Sequence, residues 1–253
     1  MHAAQSPPAV LAFAASDPTG GAGVQADLLT LAALGCHPLS VLTALTAQDT
    51  HGVEAVLPIE AEWVTRQARR LLADVPAAAF KLGVLGSASN AHAVAEIVAQ
   101  HAGVPVVVDP VLASGRGDPL AVDDVVSALR RRLLPLATVA TPNVLEAAQL
   151  GGVQAMLDAG CRYVLLTGTH DETPQVVNRL IDASGVIAEE RWDRLPGSYH
   201  GSGCTLAAAI AAFLAHGKPV VEACRLAQVF TWNSLKNGFR PGGGQLIPRR
   251  VAK

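Results

Sequence analysis

Short apolar runs alternate with segments of helical apolar spacing along most of the chain. Glycine, proline or polar clusters end the apolar runs, as at the ends of buried strands. The predicted strands are residues 9–15, 40–47, 80–85, 105–108, 137–140 and 163–166. The predicted helices are residues 24–34, 58–72, 91–100 and 118–133. This alternation requires crossover connections, so we expect an α/β fold with a mostly parallel central sheet and helices on both faces.

The pattern changes in the last third of the chain. Val176–Ile181 and Val186–Trp192 are separated by a short polar turn, which predicts a small antiparallel hairpin at the edge of the sheet. Two long helices are predicted after it, at 204–215 and 219–236. No internal repeat or linker divides the chain. We therefore expect one domain over residues 9–253, preceded by a flexible tail at residues 1–8.

Composition and charge exclude several classes of protein. Half of the 253 residues are apolar and the net charge is −2, with no basic run longer than Arg130–Arg132, which argues against a nucleic-acid partner. The longest apolar stretch, 204–215, is far below the roughly 20 residues that span a bilayer, so no membrane partner is expected. The start of the chain lacks the features of a signal peptide. Four widely spaced cysteines form no metal-binding pair, so we predict a cytoplasmic location.

A glycine-rich segment precedes the apolar helix in the last third of the chain. Gly201, Ser202 and Gly203 leave backbone N–H groups free at the helix start, and these groups together with the helix dipole favour an anion. Cys204 follows directly, at a position that lowers the pKa of a thiol. The pattern indicates phosphoryl transfer with Cys204 as a titratable group, although a small buried thiol is also common in an alanine-rich helix.

Polar residues after two predicted strands are candidate metal ligands. Asp109 follows an apolar strand and is either part of an Asp-Pro turn or a carboxylate that helps to hold a metal ion. Asn143 and Glu146 have the spacing of a helix N-cap and its capping-box partner, which local sequence favours. Their oxygens also suit Mg²⁺ through water, and the two interpretations are compatible.

Two further loops have more than one interpretation. Thr167, Gly168 and His170 follow a strand, where they suit a nucleotide phosphate or a plain turn equally well. Segment 21–26 matches a dinucleotide fingerprint, but five residues separate it from the strand, which disfavours a nicotinamide cofactor. Gly23 either closes the loop over a small substrate or simply begins a helix, and Asp27 either compensates the dipole of that helix or binds a ligand. Because the chain has no Walker A motif, any use of ATP is not of the P-loop type.

Seven segments occur in an order that resembles the ribokinase-like superfamily and, within it, the bacterial hydroxymethylpyrimidine/phosphomethylpyrimidine kinases. They run from residue 16 to about residue 215, and the first and last are the most specific. The segments are Ser16–Leu28, Ser40–Thr50, Lys81–Leu85, Val108–Val111, Ser114 with Gly117–Leu120, Thr141–Ala147 and His200–Leu206.

This resemblance implies a fold, a reaction and a set of site residues. The fold is ribokinase-like, and the reaction is phosphorylation of 4-amino-5-hydroxymethyl-2-methylpyrimidine by Mg²⁺-ATP, then of its monophosphate to the diphosphate, in thiamine biosynthesis. A homodimer is also implied. The implied substrate contacts are Asp27, Gln48, Gly23 and Val111, and the implied anion hole is 201–204 with Cys204 as the base. The implied ATP contacts are Thr167, Gly168, His170 and Asn143, and the implied Mg²⁺ ligands are Asp109, Asn143 and Glu146.

The chain departs from the family pattern on the ATP side. Residues 167–170 read Thr-Gly-Thr-His where the family usually has Lys-Gly-Gly-His, so a cation expected near the phosphates is missing. The segment between Glu146 and Leu165 is shorter than usual. Two alternatives therefore stay open: a pyridoxal or pyridoxine kinase of the same fold, and a non-catalytic pyrimidine-binding protein that kept the fold.

Overall fold

The computed structural model describes residues 6–112, 123–169 and 173–251, and its centre is a nine-stranded sheet. The strands are β1 (Ala9–Ser16), β2 (His37–Gln48), β3 (Val53–Pro58), β4 (Ala79–Leu82), β5 (Val106–Val108), β6 (Val139–Ala140), β7 (Tyr163–Leu166), β8 (Gln175–Asp182) and β9 (Gly185–Asp193). Their order in the sheet is β3-β2-β1-β4-β5-β6-β7-β8-β9. The six strands from β2 to β7 in this order run parallel, whereas β3, β8 and β9 pair antiparallel to their neighbours.

Helices cover both faces of the sheet. They are α1 (Gly23–Ala33), α2 (Ala61–Leu72), α3 (Ala88–Ala99), α4 (Asp123–Ala128), α5 (Val144–Gln149), α6 (Val153–Asp158), α7 (Ser202–Ala215) and α8 (Val220–Lys236). A π turn (Leu129–Leu133) and a 3₁₀ turn (Leu134–Leu136) extend α4. Helices α1, α7 and α8 pack on one face, and α2 to α6 pack on the other.

Burial on both faces explains the composition of the central strands. Side chains alternate along β1, so that Leu11 and Phe13 join the core under α2 and α3, while Val10 joins the core under α7. A strand covered on both sides needs apolar residues at every position, which is why β1 and β5 are almost continuous apolar runs. The predicted parallel sheet and the predicted edge hairpin are both confirmed.

Several predicted boundaries are wrong for identifiable reasons. The apolar pattern does not predict strand β3, because all six of its residues are partly or fully exposed at the sheet edge. Its last residue, Pro58, is the predicted start of the following helix, which the structure places at Ala61. Helix α7 begins at Ser202, two residues earlier than predicted, which places Cys204 in its first turn. Residues 1–5 of the predicted tail, Ser114, Gly117–Leu120 and the predicted start of the helix at residue 118 lie outside the described residues.

The sheet topology brings the carboxyl ends of the parallel strands to one edge. Asp17, Gln48, Asp109, Thr141 and Thr167 each lie at or directly after such an end. In open α/β sheets, ligands bind at this edge, so these side chains define the region in which to look for a site. Among the described ranges, no helix has both the length and the apolarity that crossing a bilayer requires.

Candidate active site

A cavity of about 500 Å³ opens at the carboxyl edge of the sheet, next to the first turn of α7. Most of the predicted site residues line it. They are Gly23, Gln48, Asp109, Val111, Asn143, Glu146, Thr167, Gly201, Ser202, Gly203 and Cys204. Asp27 and Gly168 lie behind the cavity wall, and His170 lies outside the described residues.

The backbone of residues 201–204, here called the anion hole, forms one wall of this cavity. Gly201 is the N-cap of α7 and has a φ of +79°, a left-handed conformation that favours glycine. A Cβ atom at Gly201 would lie 1.9 Å from the carbonyl oxygen of Gly21, so the two backbones meet without room for a side chain. The first four N–H groups of a helix have no partner within the helix, and here they belong to residues that line the cavity. This wall is therefore built to receive an anion.

The thiol of Cys204 stands at the end of the anion hole. The backbone of Gly23 and the carboxylate of Asp109 lie near enough to this thiol to act on its charge. Burial raises its pKa to about 12, a shift that nearby Lys81 opposes and that Asp109 and Asp27 reinforce. The expectation of a lowered pKa is therefore wrong for the ligand-free protein. Burial and two carboxylates outweigh the helix terminus, and the thiol carries its proton at neutral pH.

A buried ion cluster lies under the cavity. Lys81 Nζ is 2.9 Å from Asp27 Oδ1 and 3.7 Å from Asp109 Oδ2, and the Lys81 and Asp27 side chains are fully buried. Burial raises the pKa of Asp27 to about 6, although Lys81 opposes the shift. Burial opposes the charged form of Lys81 as well, but Asp27 raises the pKa of the lysine beyond its ordinary value.

This cluster changes the interpretation of Asp27. Its carboxylate faces Lys81 instead of the cavity, so the implied contact with a pyrimidine stays a prediction that the geometry does not support. Lys81 was not among the predicted site residues. A lysine inside the otherwise apolar strand β4 was the feature that could have identified it, because a buried charge requires a partner.

Asn143 and Glu146 form the predicted capping box at the start of α5. The N–H of Glu146 donates to Asn143 Oδ1 and the N–H of Asn143 donates to Glu146 Oε2, both at 2.9 Å. Burial raises the pKa of Glu146 to about 8, and the negative charge of Asp109 adds to the shift. The structural interpretation of these two residues is confirmed, and Glu146 still lines the cavity.

The same residues fit a magnesium ion. Asp109 is nearly buried and its Oδ2 atom has no hydrogen-bond partner, while its charge and that of Glu146 repel each other. A divalent cation would relieve both problems. The described part of the chain holds no group of three His, Cys, Asp or Glu side chains that could form a complete metal site. Two carboxylates and an amide oxygen are instead suited to Mg²⁺, which retains water and binds substrate phosphates.

The loop between β1 and α1 is fixed by Asp17. Its carboxylate accepts hydrogen bonds from the N–H groups of Thr19 and Ala22, and its Oδ2 lies 2.9 Å from His200 Nε2. These contacts lower the pKa of Asp17, although burial opposes the shift. Asp17 and His200 had no predicted role. Together they connect the loop between β1 and α1, here called the glycine loop, to the anion hole, because His200 directly precedes Gly201.

A hydrogen-bond network lies at the end of the cavity away from Asp17 and His200. The N–H of Gly168 donates to Asn178 Oδ1 at 3.1 Å, and Asn178 Nδ2 donates to Gln228 Oε1 at 2.9 Å. Trp192 donates to the same Gln228 oxygen at 3.1 Å. Arg194 holds the end of the 167–169 loop through a 2.8 Å hydrogen bond to the carbonyl of Thr169. No sequence motif indicated Asn178, Trp192, Arg194 or Gln228, because they come from β8, β9, the residue after β9 and α8, and they meet only in the folded protein.

The three-layer fold, together with an anion hole that lies beside carboxylates in one cavity, defines a phosphotransferase of the ribokinase-like type. Residues 17–248 match the family model described as phosphomethylpyrimidine kinase. The chain belongs to this family. A hydroxymethylpyrimidine/phosphomethylpyrimidine kinase from Streptomyces coelicolor is 43% identical over 255 residues, which cover 94% of this chain and 93% of that protein.

Solved structures show the same relationship. A phosphomethylpyrimidine kinase from Clostridium difficile has a TM-score of 0.78 at 31% identity, covering 90% of this chain and 99% of that one. The pyridoxal kinase from Staphylococcus aureus in complex with AMP-PCP and pyridoxal has a TM-score of 0.87 at 29% identity, covering 96% and 93%. The structural relatives therefore include enzymes named for two different rings.

Proposed function

We propose that this chain transfers the γ-phosphoryl group of ATP to the hydroxymethyl oxygen of 4-amino-5-hydroxymethyl-2-methylpyrimidine, and then to the resulting monophosphate. The observation that carries the proposal is the anion hole beside the Cys204 thiol, in a cavity that also contains Gln48, Asp109 and Glu146. Membership of the phosphomethylpyrimidine kinase family supports the choice of ring. The reaction would belong to thiamine biosynthesis in the cytoplasm. The proposal includes the homodimer that the resemblance implies.

The first transfer requires an acceptor, a base and a site for the moving charge. Gln48, Gly23 and Val111 would contact the pyrimidine, and the side-chain amide of Gln48 supplies both a donor and an acceptor for ring atoms. As the hydroxymethyl oxygen bonds to the γ-phosphorus, its proton passes to the thiolate form of Cys204, which is the minor form in the ligand-free protein, and ADP leaves with the electron pair of the broken bond. The N–H groups of the anion hole stabilise the charge on the equatorial phosphoryl oxygens during this step.

ATP would occupy the end of the cavity near β7. Thr167 and Asn143 line the cavity, and the phosphate chain would contact them. Gly168, whose N–H donates to Asn178, and His170, which lies outside the described residues, complete the proposed set. Arg194 places a guanidinium on the 167–169 loop, which supports it as the source of positive charge that Thr167 does not supply. Mg²⁺ held by Asp109, Asn143 and Glu146 would neutralise the phosphate oxygens.

A substitution of Glu146 separates its metal role from its capping role. Glu146→Gln keeps a side-chain oxygen that can accept from the Asn143 N–H, but it removes the negative charge. We expect the Mg²⁺ concentration at half-maximal velocity to rise by about tenfold or more, because one anionic ligand or water-mediated partner is lost. Titration of initial velocity with Mg²⁺ measures the effect, and thermal unfolding is the control for the intact cap. An unchanged Mg²⁺ dependence would restrict Glu146 to the cap.

The direct test of the proposed function is product analysis. The purified protein is incubated with Mg²⁺-ATP and the hydroxymethylpyrimidine, and the products are resolved by mass. We expect the monophosphate to appear first and the diphosphate to follow. ATP consumption without either product would contradict the proposal. Binding of the pyrimidine without ATP turnover would also contradict it and would favour a non-catalytic binding protein.

Pyridoxal phosphorylation is a second candidate, because the similar Staphylococcus aureus structure is named as a pyridoxal kinase. A parallel assay with pyridoxal gives kcat/KM for each ring. We expect the hydroxymethylpyrimidine to be preferred. Because a simple pyridoxal kinase forms no diphosphate, this product distinguishes the candidates even if both rings are accepted.

A further inference from the structure

Arg250 lies near the end of the chain and is only 4% exposed. Its guanidinium connects two segments of the active site. Nε donates to Thr205 Oγ1 at 2.9 Å, and Nη1 donates to the carbonyl of Gly20 at 3.3 Å. Nη2 donates to the carbonyls of both Gly21 and Gly201, the latter at 3.3 Å. One side chain therefore fastens the glycine loop to the N-cap of α7.

The acceptors around Arg250 are three carbonyls and one hydroxyl. Within the described ranges, no carboxylate lies within ion-pair distance of its guanidinium. The groups that favour its charged form from further away are Cys204, Asp27 and Asp17, while burial opposes that form. The positive charge is thus buried beside the anion hole without direct neutralisation.

This arrangement is poor for stability alone. A cation beside the N-terminus of a helix opposes the helix dipole, and a buried charge without a counter-ion is costly. Both penalties disappear when an anion occupies the anion hole, because the anion supplies the missing negative charge. The backbones of Gly201 and Gly21 also lie too close for a Cβ atom between them, and the hydrogen bonds of Arg250 to both carbonyls hold them at this distance.

We propose that Arg250 is a positioning residue for phosphoryl transfer, which holds the Gly201 N-cap against the Gly20–Gly21 loop and adds positive potential beneath the anion hole. The ligand bound by the backbone N–H groups of 201–204 is a phosphoryl group. The expected effects of Arg250 on kinetics rest on the proposed function. The anion affinity that it assigns to the site does not depend on which ring is phosphorylated.

The test compares Arg250→Gln with Arg249→Gln. The neighbouring Arg249 packs over Phe239 and donates to the carbonyl of Asn237, so its replacement makes the same change in charge without touching the anion hole. We expect Arg250→Gln to lower kcat by about 10- to 100-fold, because the anion-hole donors stay present but are less well placed. KM for the pyrimidine should change little, the Tm should stay within about 5 °C of the wild type, and Arg249→Gln should resemble the wild type.

Binding of inorganic phosphate to the ligand-free protein, followed by calorimetry, is the second measurement. We expect the Kd to rise by about tenfold in Arg250→Gln and to stay unchanged in Arg249→Gln. If Arg250 had only a structural role, Arg250→Gln would lower the Tm and raise KM as well as lowering kcat. A wild-type protein that binds no phosphate, or an Arg250→Gln variant with wild-type kcat and phosphate affinity, would overturn the proposal.

Two further outcomes are distinguishable. If the wild type phosphorylates neither ring, the proposed function fails, while the phosphate titration still decides the role of Arg250. If Arg250→Gln does not fold, Arg250→Lys replaces it, because lysine keeps the charge but loses the fork that spans the carbonyls. Reduced kcat with a folded Arg250→Lys protein then supports the proposal, and wild-type kcat overturns it.

Discussion

Replacing Cys204 by alanine is expected to reduce kcat for the first phosphorylation by about 10²- to 10⁴-fold, the usual contribution of a general base. The reason is chemical: the hydroxymethyl group must lose its proton as the new bond to phosphorus forms, and the Cys204 thiol stands at the end of the anion hole. KM for the pyrimidine should change little, because Gln48, Gly23 and Val111 remain. Steady-state kinetics with product quantification measures both constants.

The second phosphorylation should be much less sensitive to this substitution. A phosphate monoester has its second pKa near about 6, so its oxygen is already largely deprotonated at neutral pH and needs no base. The Cys204→Ala variant should therefore convert the monophosphate to the diphosphate at a rate closer to that of the wild type. Equal losses in both steps would contradict a base role and indicate that the thiol supports the shape of the anion hole.

The two steps should also differ in their dependence on pH. Burial raises the pKa of Cys204 to about 12 in the ligand-free protein, so below that value the thiolate fraction rises with each pH unit. The first step should accelerate from pH 7 to 9 in the wild type, and this slope should be absent in Cys204→Ala. Cys224→Ala is the matched control, because Cys224 is buried in α8 and does not line the cavity. A first step without this slope in the wild type would argue against the base.

Gly201→Ala is expected to lower kcat in both phosphorylations, by about 10²-fold or more, as the loss of a donor in an oxyanion hole does. The new Cβ atom would lie 1.9 Å from the Gly21 carbonyl oxygen and 2.9 Å from Ala22 Cα, so the N-cap of α7 must move. Its movement shifts the N–H groups that hold the transferred phosphoryl group in either step. This equal effect distinguishes the anion hole from the base, which serves mainly the first step.

Gly217→Ala is a close control for Gly201→Ala. Gly217 follows the other end of α7 and has a φ of +77°, nearly the same as the +79° of Gly201, but a Cβ atom there meets nothing within 4 Å. Both variants carry the cost of about 1–2 kcal/mol for a left-handed alanine, so both should lose similar stability from this source. Only Gly201→Ala should lose activity. Comparable kcat values in the two folded variants would refute the proposed function of the anion hole.

Local patterns in the sequence predicted the elements that depend on local physics. The apolar runs gave the central strands, the spacing of Asn143 and Glu146 gave the capping box, and the glycines before α7 gave the start of a helix with free N–H groups. Strand β3 was missed because an exposed edge strand has no strong apolar pattern. The substrate contact that the resemblance implies for Asp27 stays a prediction, because the position of its carboxylate depends on Lys81, which is distant in sequence.

The α/β class, the parallel sheet with its edge hairpin and the resemblance to the family can all be predicted from the sequence, because periodicity, turn residues and motifs are encoded in neighbouring positions. The electrostatics of the cavity, in contrast, become visible only in the folded protein. The protonated thiol of Cys204, the buried pair of Lys81 and Asp27 and the unneutralised charge of Arg250 all depend on burial and on residues from separate elements. The free energy of a charge is set by its distance from water and from other charges, and chain order specifies neither.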